Sequence, residues 1–131
     1  MLLAGRRILI IEPDTFMASL LRFLLERQGM VVSLVHDGRA AIDALRSDNH
    51  FDLVILEMRL PQLTGMAVLT EMRGHPTWAA TPLMFVSSVD RGTEIATALD
   101  AGANDFMTKP FDPDELLARL RRLLPTISSS A

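Results

Sequence analysis

Five short, largely apolar segments, each followed by a segment with helical periodicity, constrain the fold of this chain more than any other feature. The apolar segments span residues 8–11, 31–35, 53–56, 83–86 and 105–108. Strands that are apolar throughout are expected where helices cover both faces of a parallel sheet. Strict alternation of strand and helix, with right-handed crossovers, produces a doubly wound fold. We therefore predict an α/β domain of five βα units around a five-stranded parallel sheet.

Residues that start or stop helices lie between the apolar segments. Gly29 is expected to end the first helix and Gly102 the fourth. The last helix has the clearest start, with Asp112 as N-cap, Pro113 in the first turn and Glu115 three residues after the cap. Its expected buried stripe consists of Leu116, Leu117, Leu120, Leu123 and Leu124.

The length of 131 residues predicts one domain with a single core. We expect that domain to cover residues 1–125. The serine-rich residues 126–131 are expected to form either a flexible tail or the start of a linker to an output domain, and the sequence leaves both readings open.

Composition excludes several classes of function. The chain has no cysteine, which rules out disulfides, zinc–thiolate sites and thiol catalysis. A net charge of −3 argues against direct binding of nucleic acid by this domain, because neutralising phosphates needs a basic surface. No apolar run approaches the roughly 18 residues of a membrane span, and the N-terminal charges do not follow the signal-peptide order. We therefore expect a cytoplasmic protein.

Polar residues follow four of the predicted strands at the point where each strand ends. In doubly wound folds, ligands bind beyond the carboxyl ends of the strands, near the point where the strand order reverses. Residues far apart in the chain are therefore expected to form one pocket. These residues are Glu12, Pro13 and Asp14 after the first strand, Glu57 after the third, Ser87 and Ser88 after the fourth, and Lys109 and Pro110 after the fifth.

Four segments, ILIIEPD, DLVILEMRLPQLTG, PLMFVSS and GANDFMTKPF, occur in an order and spacing that resemble a known family. From about residue 7 to about residue 124, the chain resembles the response regulator receiver domains of bacterial two-component signalling. The resemblance implies a CheY-like, flavodoxin-like fold and a signalling module rather than an enzyme. It also implies protein partners, namely a histidine kinase, an output domain or another signalling protein.

The resemblance assigns the acceptor and metal positions. Glu57 stands where the family has its phospho-accepting aspartate, and Glu12 and Pro13 stand at the acidic pair that binds Mg²⁺. Arg59 matches the position whose backbone carbonyl also ligates the metal. Asp14 lies next to the pair, where it either replaces the missing ligand or, as we favour, caps the first helix.

The resemblance also assigns the switch positions. Ser87 matches the hydroxyl that holds a phosphoryl oxygen, and Lys109 matches the lysine that pairs with the phosphate or the acidic residues. Pro110 matches a proline preceded by a cis peptide bond. Phe106 matches the aromatic residue whose rotamer reports activation, although a phenylalanine has no hydroxyl and can act only through packing.

Glu57 and Pro13 depart from the family pattern, and both departures weaken phosphoryl transfer. Proline offers no carboxylate to Mg²⁺. The extra methylene of Glu57 moves its carboxylate outward by about 1.5 Å. A misplacement near 1 Å can cost about 100-fold in rate. We therefore predict a pseudo-receiver, that is, a receiver domain that works without phosphorylation. We expect it to take no cofactor. The Mg²⁺ site of Glu12, Glu57 and the Arg59 carbonyl is expected to be weak or lost.

Two other interpretations remain open. Glu57 could accept hydrogen bonds from Ser87 and Lys109 directly, which would favour an active-like state without phosphate. The alternative to a pseudo-receiver is therefore a functional or phosphomimetic receiver. Such a receiver would be regulated by a histidine kinase and Mg²⁺ and would be part of a larger regulator with an output domain. A flavodoxin-like FMN-binding protein is disfavoured, because residues 12–17 carry two acids and no glycine.

A second surface is formed by Asp105, Glu115 and Arg119. These residues resemble the dimer face that winged-helix transcription-factor receivers build from the fourth helix, fifth strand and fifth helix. Ile95 and Asn104 replace charged members of that face. We expect this surface to bind a protein partner. It either supports a homodimer or carries only an intrachain ion pair of Asp105 with Arg119.

Overall fold

A computed structural model of the chain describes residues 3–47 and 50–124, so the predicted tail at 126–131 lies outside the described residues. The strands are β1 (Arg7–Ile11), β2 (Val31–Val35), β3 (Leu53–Leu56), β4 (Leu83–Ser87) and β5 (Asp105–Thr108). The helices are α1 (Thr15–Glu26), α2 (Gly38–Arg46), α3 (Gly65–Arg73), α4 (Gly92–Asp100) and α5 (Pro113–Leu123).

The five strands form one parallel sheet in the order β2-β1-β3-β4-β5. The strand order reverses between β1 and β3, which is where a doubly wound sheet opens a crevice at its carboxyl edge. The predicted doubly wound (βα)5 fold is therefore confirmed. The carboxyl ends of β1, β3, β4 and β5 lie side by side, as the predicted pocket at the ends of these strands requires.

The structure has two cores rather than the single core predicted, because successive side chains of a strand point to opposite faces of the sheet, which separates them. Leu9 and Leu56 pack on the side covered by α2, α3 and α4, together with Phe85. Ile10 and Ile55 pack on the side covered by α1 and α5. Burial on both faces explains why the central strands are apolar along their whole length.

Four helices begin with a side-chain cap, at Asp14, Asp37, Thr64 and Asp112. Asp112 accepts hydrogen bonds from the backbone N–H groups of Asp114 and Glu115, as its N-cap position predicts. Glu115, three residues after the cap, accepts from the Arg119 guanidinium, at 2.9 and 3.1 Å, rather than from the Asp112 N–H.

The predicted leucine stripe of α5 is only partly buried. Leu116, Leu120 and Leu124 are buried, whereas Leu117 and Leu123 are half-buried at the edges of the stripe.

Within the described ranges, no helix combines the length and apolar character that a bilayer crossing requires.

Candidate functional site

Main-chain hydrogen bonds beyond the strands hold the pocket residues at the carboxyl edge of the sheet. The Glu57 N–H donates to the Ile11 carbonyl at 3.0 Å, and the Lys109 N–H donates to the Ser87 carbonyl at 2.8 Å. The Glu12 N–H donates to the Val35 carbonyl at 3.0 Å. These bonds extend the sheet ladder by one residue, so the side chains of Glu12, Glu57 and Lys109 start from well-defined positions.

The Glu57 carboxylate lies at the centre of this pocket, and the residue as a whole is 4 % exposed. Its Oε2 accepts hydrogen bonds from Ser87 Oγ, from the Met58 N–H at 2.5 Å and from the Arg59 N–H at 3.2 Å. Its Oε1 accepts from Lys109 Nζ at 2.9 Å and from the Ser88 N–H at 3.4 Å. Five donors therefore converge on one carboxylate, which satisfies the buried negative charge.

Lys109 bridges the two carboxylates of the pocket. Its Nζ lies 2.6 Å from Oε1 of Glu12 and 2.9 Å from Oε1 of Glu57. The lysine side chain is 15 % exposed and the two carboxylates are 3 % and 5 % exposed. The predicted contacts of Lys109 with Glu12, and of Glu57 with both Ser87 and Lys109, are confirmed. One cation thus lies between two anions in a largely desolvated site.

Burial and hydrogen bonding act in opposite directions on the titration of this cluster. Burial alone raises the pKa of Glu57, but hydrogen bonds from Ser87 and Lys109, the Lys109 charge and the Arg59 N–H outweigh it, so the pKa is lowered. Burial alone lowers the pKa of Lys109, but hydrogen bonds and charges of Glu12 and Glu57 raise it overall. Both groups are therefore held in their charged forms.

The residues after β1 have structural partners. Asp14 caps α1, since its Oδ1 accepts from the N–H groups of Phe16 and Met17 at 2.9 and 3.1 Å. The Asp14 N–H in turn donates to Glu12 Oε2 at 3.0 Å, so both Glu12 oxygens have donors. Pro13 brings no polar side chain. The expected capping role of Asp14 is confirmed.

The described residues form no cluster of three potential metal-ligating side chains. Among residues 3–47 and 50–124, no three acidic, histidine or cysteine side chains are grouped so that they could hold a metal ion. Arg59 contacts the site through its N–H, which donates to Glu57, while its side chain is exposed.

Gly65 lets the start of α3 approach the backbone that carries Glu57. A Cβ at this position would lie 2.5 Å from the Glu57 carbonyl oxygen and 2.8 Å from the Met58 Cα. We expect Gly65→Ala to lower the free energy of unfolding by about 1–3 kcal/mol, because the backbone must shift. Gly92→Ala is the control, since a Cβ there meets nothing within 4 Å. Urea denaturation of both variants measures the difference; equal stability of the two would contradict the close approach.

The sequence of this chain is similar to sequences of known proteins. Residues 8–121 match the sequence profile of the response regulator receiver domain. The chain belongs to the response regulator receiver family. Transcriptional regulatory protein TcrA of Mycobacterium tuberculosis is 38% identical to this receiver over 120 residues, covering 92% of this chain and 46% of TcrA. This receiver spans about half the length of the curated relatives it matches.

Solved receiver structures have the same fold. Chemotaxis response regulator CheY4 of Vibrio cholerae superposes with a TM-score of 0.85 at 23% identity, covering 92% of this chain and all of CheY4 (100%). The receiver domain of sensor histidine kinase PA1611 from Pseudomonas aeruginosa superposes with a TM-score of 0.83 at 28% identity, covering 92% and 98%. That structure has a magnesium ion in its active-site cleft. The predicted CheY-like fold is confirmed.

In this receiver Phe106 lies in β5, and Pro110 directly follows Lys109. The Phe106 ring is buried and lies 5.5 Å from the Phe85 ring, centroid to centroid. The Lys109–Pro110 peptide bond is cis, as predicted. Ser87, the last residue of β4 rather than the first after it, directs its hydroxyl to Glu57 and accepts from the Val89 N–H at 3.1 Å.

The charged residues of the predicted interface pair within one chain. Arg119 Nη1 donates to both Asp105 oxygens, at 3.0 and 3.1 Å, and Arg119 also binds Glu115. The predicted intrachain pair is confirmed, and homodimerisation through this face stays a prediction. Asn104, which replaces an acid, accepts from the Leu83 N–H and from Arg73 at 2.8 and 2.9 Å.

Sequence reasoning missed the main-chain donors that bind Glu57. The N–H groups of Met58, Arg59 and Ser88 carry no residue signature, because any residue but proline provides one. Lys109, by contrast, was predicted, and it is the only lysine in a sequence with twelve arginines.

Proposed function

We propose that this receiver domain signals through protein–protein interaction without being phosphorylated. The observation that carries the proposal is the bonding of the Glu57 carboxylate to both Ser87 and Lys109. In the family, a hydroxyl and a lysine at these positions hold a phosphoryl group. In this receiver, the carboxylate itself already binds them.

The acidic pocket also fits Mg²⁺ poorly, which supports the same proposal. Mg²⁺ requires near-octahedral oxygen ligation and is usually held by one or two carboxylates. Pro13 supplies no ligand, and the oxygens of Glu12 already accept from Lys109 and the Asp14 N–H. The oxygens of Glu57 accept from five donors. A metal ion would have to compete with Lys109 and four other donors for Glu57 and would find few free ligands beside it, so we expect the Mg²⁺ site to be weak or lost.

The position of Phe106 is consistent with a switch held in one state. The ring is packed in the core beside Phe85, and the Ser87 hydroxyl is turned toward Glu57. A carboxylate that binds Ser87 permanently would favour this arrangement without any ligand. We propose that the resulting surface of α4, β5 and α5 is constitutively available to a protein partner.

The relatives support a proposal about the class of that partner. TcrA is a transcriptional regulator about twice as long as the region it shares with this receiver. We propose that an output domain or another signalling protein in the cytoplasm receives the signal, and that this domain itself contacts no nucleic acid. The alternative is a receiver that still responds to a histidine kinase and Mg²⁺.

An amide NMR titration with Mg²⁺, followed by beryllofluoride as a phosphoryl mimic, tests the proposal. We expect no saturable shifts at Glu57, Ser87, Phe106 or Lys109, because the Glu57 carboxylate occupies the site where the mimic would bind. Saturable shifts at these four residues would support the kinase-regulated alternative and sink the proposal.

A further inference from the structure

Helix α1 is apolar on the side that faces solvent as well as on the side that faces the core. Ala18, Leu21 and Leu25 are buried, yet the opposite side carries Phe16 and Phe23, which are 78 % and 56 % exposed. Among the described residues, no other large apolar side chain is as exposed as these two. A helix that is apolar all round is normally covered on every side. The single chain therefore leaves one side of α1 without a cover.

Phe16 and Phe23 belong to one continuous stripe along α1, because residues seven apart in a helix lie two turns apart on the same face. Ser19, which is exposed, and Leu20, which is half-buried, lie between the two rings. These four residues form the α1 stripe. The serine at its middle is small, so a second helix can approach closely there. Contiguous apolar surface of this kind marks a contact site, whereas single scattered apolar residues do not.

The rings of the α1 stripe have few partners within their own chain. The Cζ atom of Arg27 lies 5.5 Å from the centroid of the Phe23 ring, which is a cation–π contact. Within the described ranges, the Phe16 ring meets no other ring or cation, and Arg27 makes no ion pair. The Arg27 guanidinium is therefore available to an anionic group beside the stripe.

The two ends of α1 carry opposite charges, and this pattern identifies the partner. Asp14 caps the N-terminus through its Oδ1, while its Oδ2 accepts no hydrogen bond within the described part of the chain. Arg27 is the C-cap residue. A complementary surface is therefore basic opposite Asp14, acidic opposite Arg27 and apolar between them. Helix α1 itself has this pattern when it is turned end for end, so a second copy of the chain is complementary to the first.

A two-fold axis beside Ser19 would pair the α1 stripe with itself. In this antiparallel arrangement, Phe16 of each copy lies opposite Phe23 of the other, so the same contact forms twice. Helical side chains lean toward the N-terminus, and the guanidinium of Arg27 already lies over Phe23, which would bring it close to Asp14 of the second copy. A parallel arrangement would instead place each Asp14 beside its own copy. Charge therefore selects the antiparallel pair, in which the helix dipoles are also opposed.

From this pattern we infer that the α1 stripe is a contact between two copies of this chain, which pack antiparallel about a two-fold axis with Arg27 of each copy facing Asp14 of the other. The inference does not rest on the proposed function, because α1 is not part of the surface of α4, β5 and α5.

The size of the stripe sets the strength of the contact. A phenylalanine ring buries about 200 Å², so the exposed parts of Phe16 and Phe23 in both copies amount to roughly 500 Å². Ser19, Leu20 and the stem of Arg27 add to this area. The contact falls in the class of weak, transient complexes, which bury less than about 1,200 Å². We therefore expect a dimer in exchange with the monomer, with a dissociation constant of about 100 µM.

Sedimentation equilibrium of the full chain, from about 10 µM to about 1 mM, measures this constant. We expect the average mass to rise from that of one chain toward that of two. Amide NMR over the same range locates the contact, with concentration-dependent shifts expected at Phe16, Ser19 and Phe23. A mass of one chain at every concentration would overturn the inference and leave the α1 stripe to a different partner.

Substitutions on α1 and α4 distinguish this contact from other dimers. Phe16→Ala and Phe23→Ala should each weaken the dimer by about tenfold or more, because each removes an aromatic ring from the centre of the contact. Leu99→Ala is the matched control, since Leu99 is an exposed apolar residue on α4. Its dissociation constant should be unchanged. A dimer that Leu99→Ala weakens and the two phenylalanine variants leave intact would overturn the inference.

The charged ends of the stripe are tested separately. Arg27→Glu should weaken the dimer by about tenfold, because it places a negative charge beside Asp14 of the second copy. Arg91→Glu makes the same change in net charge at the exposed start of α4 and should leave the dissociation constant unchanged. Equal weakening by both variants would mean that net charge alone governs the association, which contradicts the proposed antiparallel pair.

Cross-linking tests the position of the two-fold axis. The chain has no cysteine, so a single introduced thiol can react only with its own copy. Under mild oxidation, Ser19→Cys should form a disulfide-linked dimer, because the axis passes beside this residue. Ala118→Cys, at an exposed alanine of α5, should stay monomeric under the same conditions. Equal cross-linking of the two variants, or cross-linking of Ala118→Cys alone, would exclude an axis at the middle of α1.

Discussion

Replacing Lys109 by methionine should lower the free energy of unfolding at pH 7 by about 3 kcal/mol, because breaking a buried ion pair leaves an uncompensated charge. The substitution leaves Glu12 and Glu57 facing one another, 3 % and 5 % exposed, with no cation between them. Chemical denaturation with urea measures the change. Methionine retains most of the apolar stem, so the effect reports the charge rather than lost packing.

Arg59→Met is the matched control for Lys109→Met. Arg59 is close to Glu57 in the chain, but its side chain is exposed and makes no ion pair in the described regions. We expect the control to change stability by no more than about 0.5 kcal/mol. A similar loss in both variants would show that net charge, rather than the buried bridge, stabilises this edge of the sheet.

The effect of Lys109→Met should depend on pH. In the native chain, the lowered pKa of Glu57 contributes stability that is present above its ordinary value of 4.5 and lost as pH falls through the folded value. The raised pKa of Lys109 contributes stability below 10.5 that is lost as pH rises through its folded value. Without Lys109, protonation of a carboxylate relieves the repulsion. The difference in unfolding free energy between the native chain and the variant should therefore begin to narrow as the pH falls toward 4.5, and should narrow further below 4.5, where the native chain loses the contribution of Glu57.

Restoring aspartate at both departing positions, Pro13→Asp with Glu57→Asp, should create a response to Mg²⁺ and to acetyl phosphate. The shorter side chain withdraws the carboxylate from Ser87, and the new Asp adds a metal ligand. We expect the phosphorylation rate to rise by at least about 100-fold, the cost associated with a misplacement near 1 Å. Intact mass spectrometry measures phosphoryl addition, and amide NMR measures Mg²⁺ binding.

The two single variants serve as controls for the double variant. Glu57→Asp alone restores the acceptor without the second metal ligand, and Pro13→Asp alone does the reverse, so each should respond more weakly. A native chain that accepts phosphate as fast as the double variant would refute the proposed loss of phosphorylation. A folded double variant that stays silent would show that residues beyond these two block the site.

Local sequence patterns were sufficient to predict the fold and to predict which residues form the acidic pocket. Whole-length apolar strands and helical periodicity predict the five βα units, because alternation and burial depend on near neighbours in the chain. The convergence of Glu12, Glu57, Ser87 and Lys109 follows from parallel strands whose carboxyl ends share one edge. The helix cap at Asp14 was also predictable, since capping needs only residues within one turn.

The amino-acid sequence by itself thus determined the strand and helix order, the doubly wound fold and the residues gathered at the carboxyl edge. Only the tertiary structure decided how those residues pair. Whether Glu57 binds Ser87, Lys109 and three main-chain N–H groups depends on rotamers and loop paths that no short pattern encodes. Contacts between distant segments are set by packing, and packing is a property of the assembled chain.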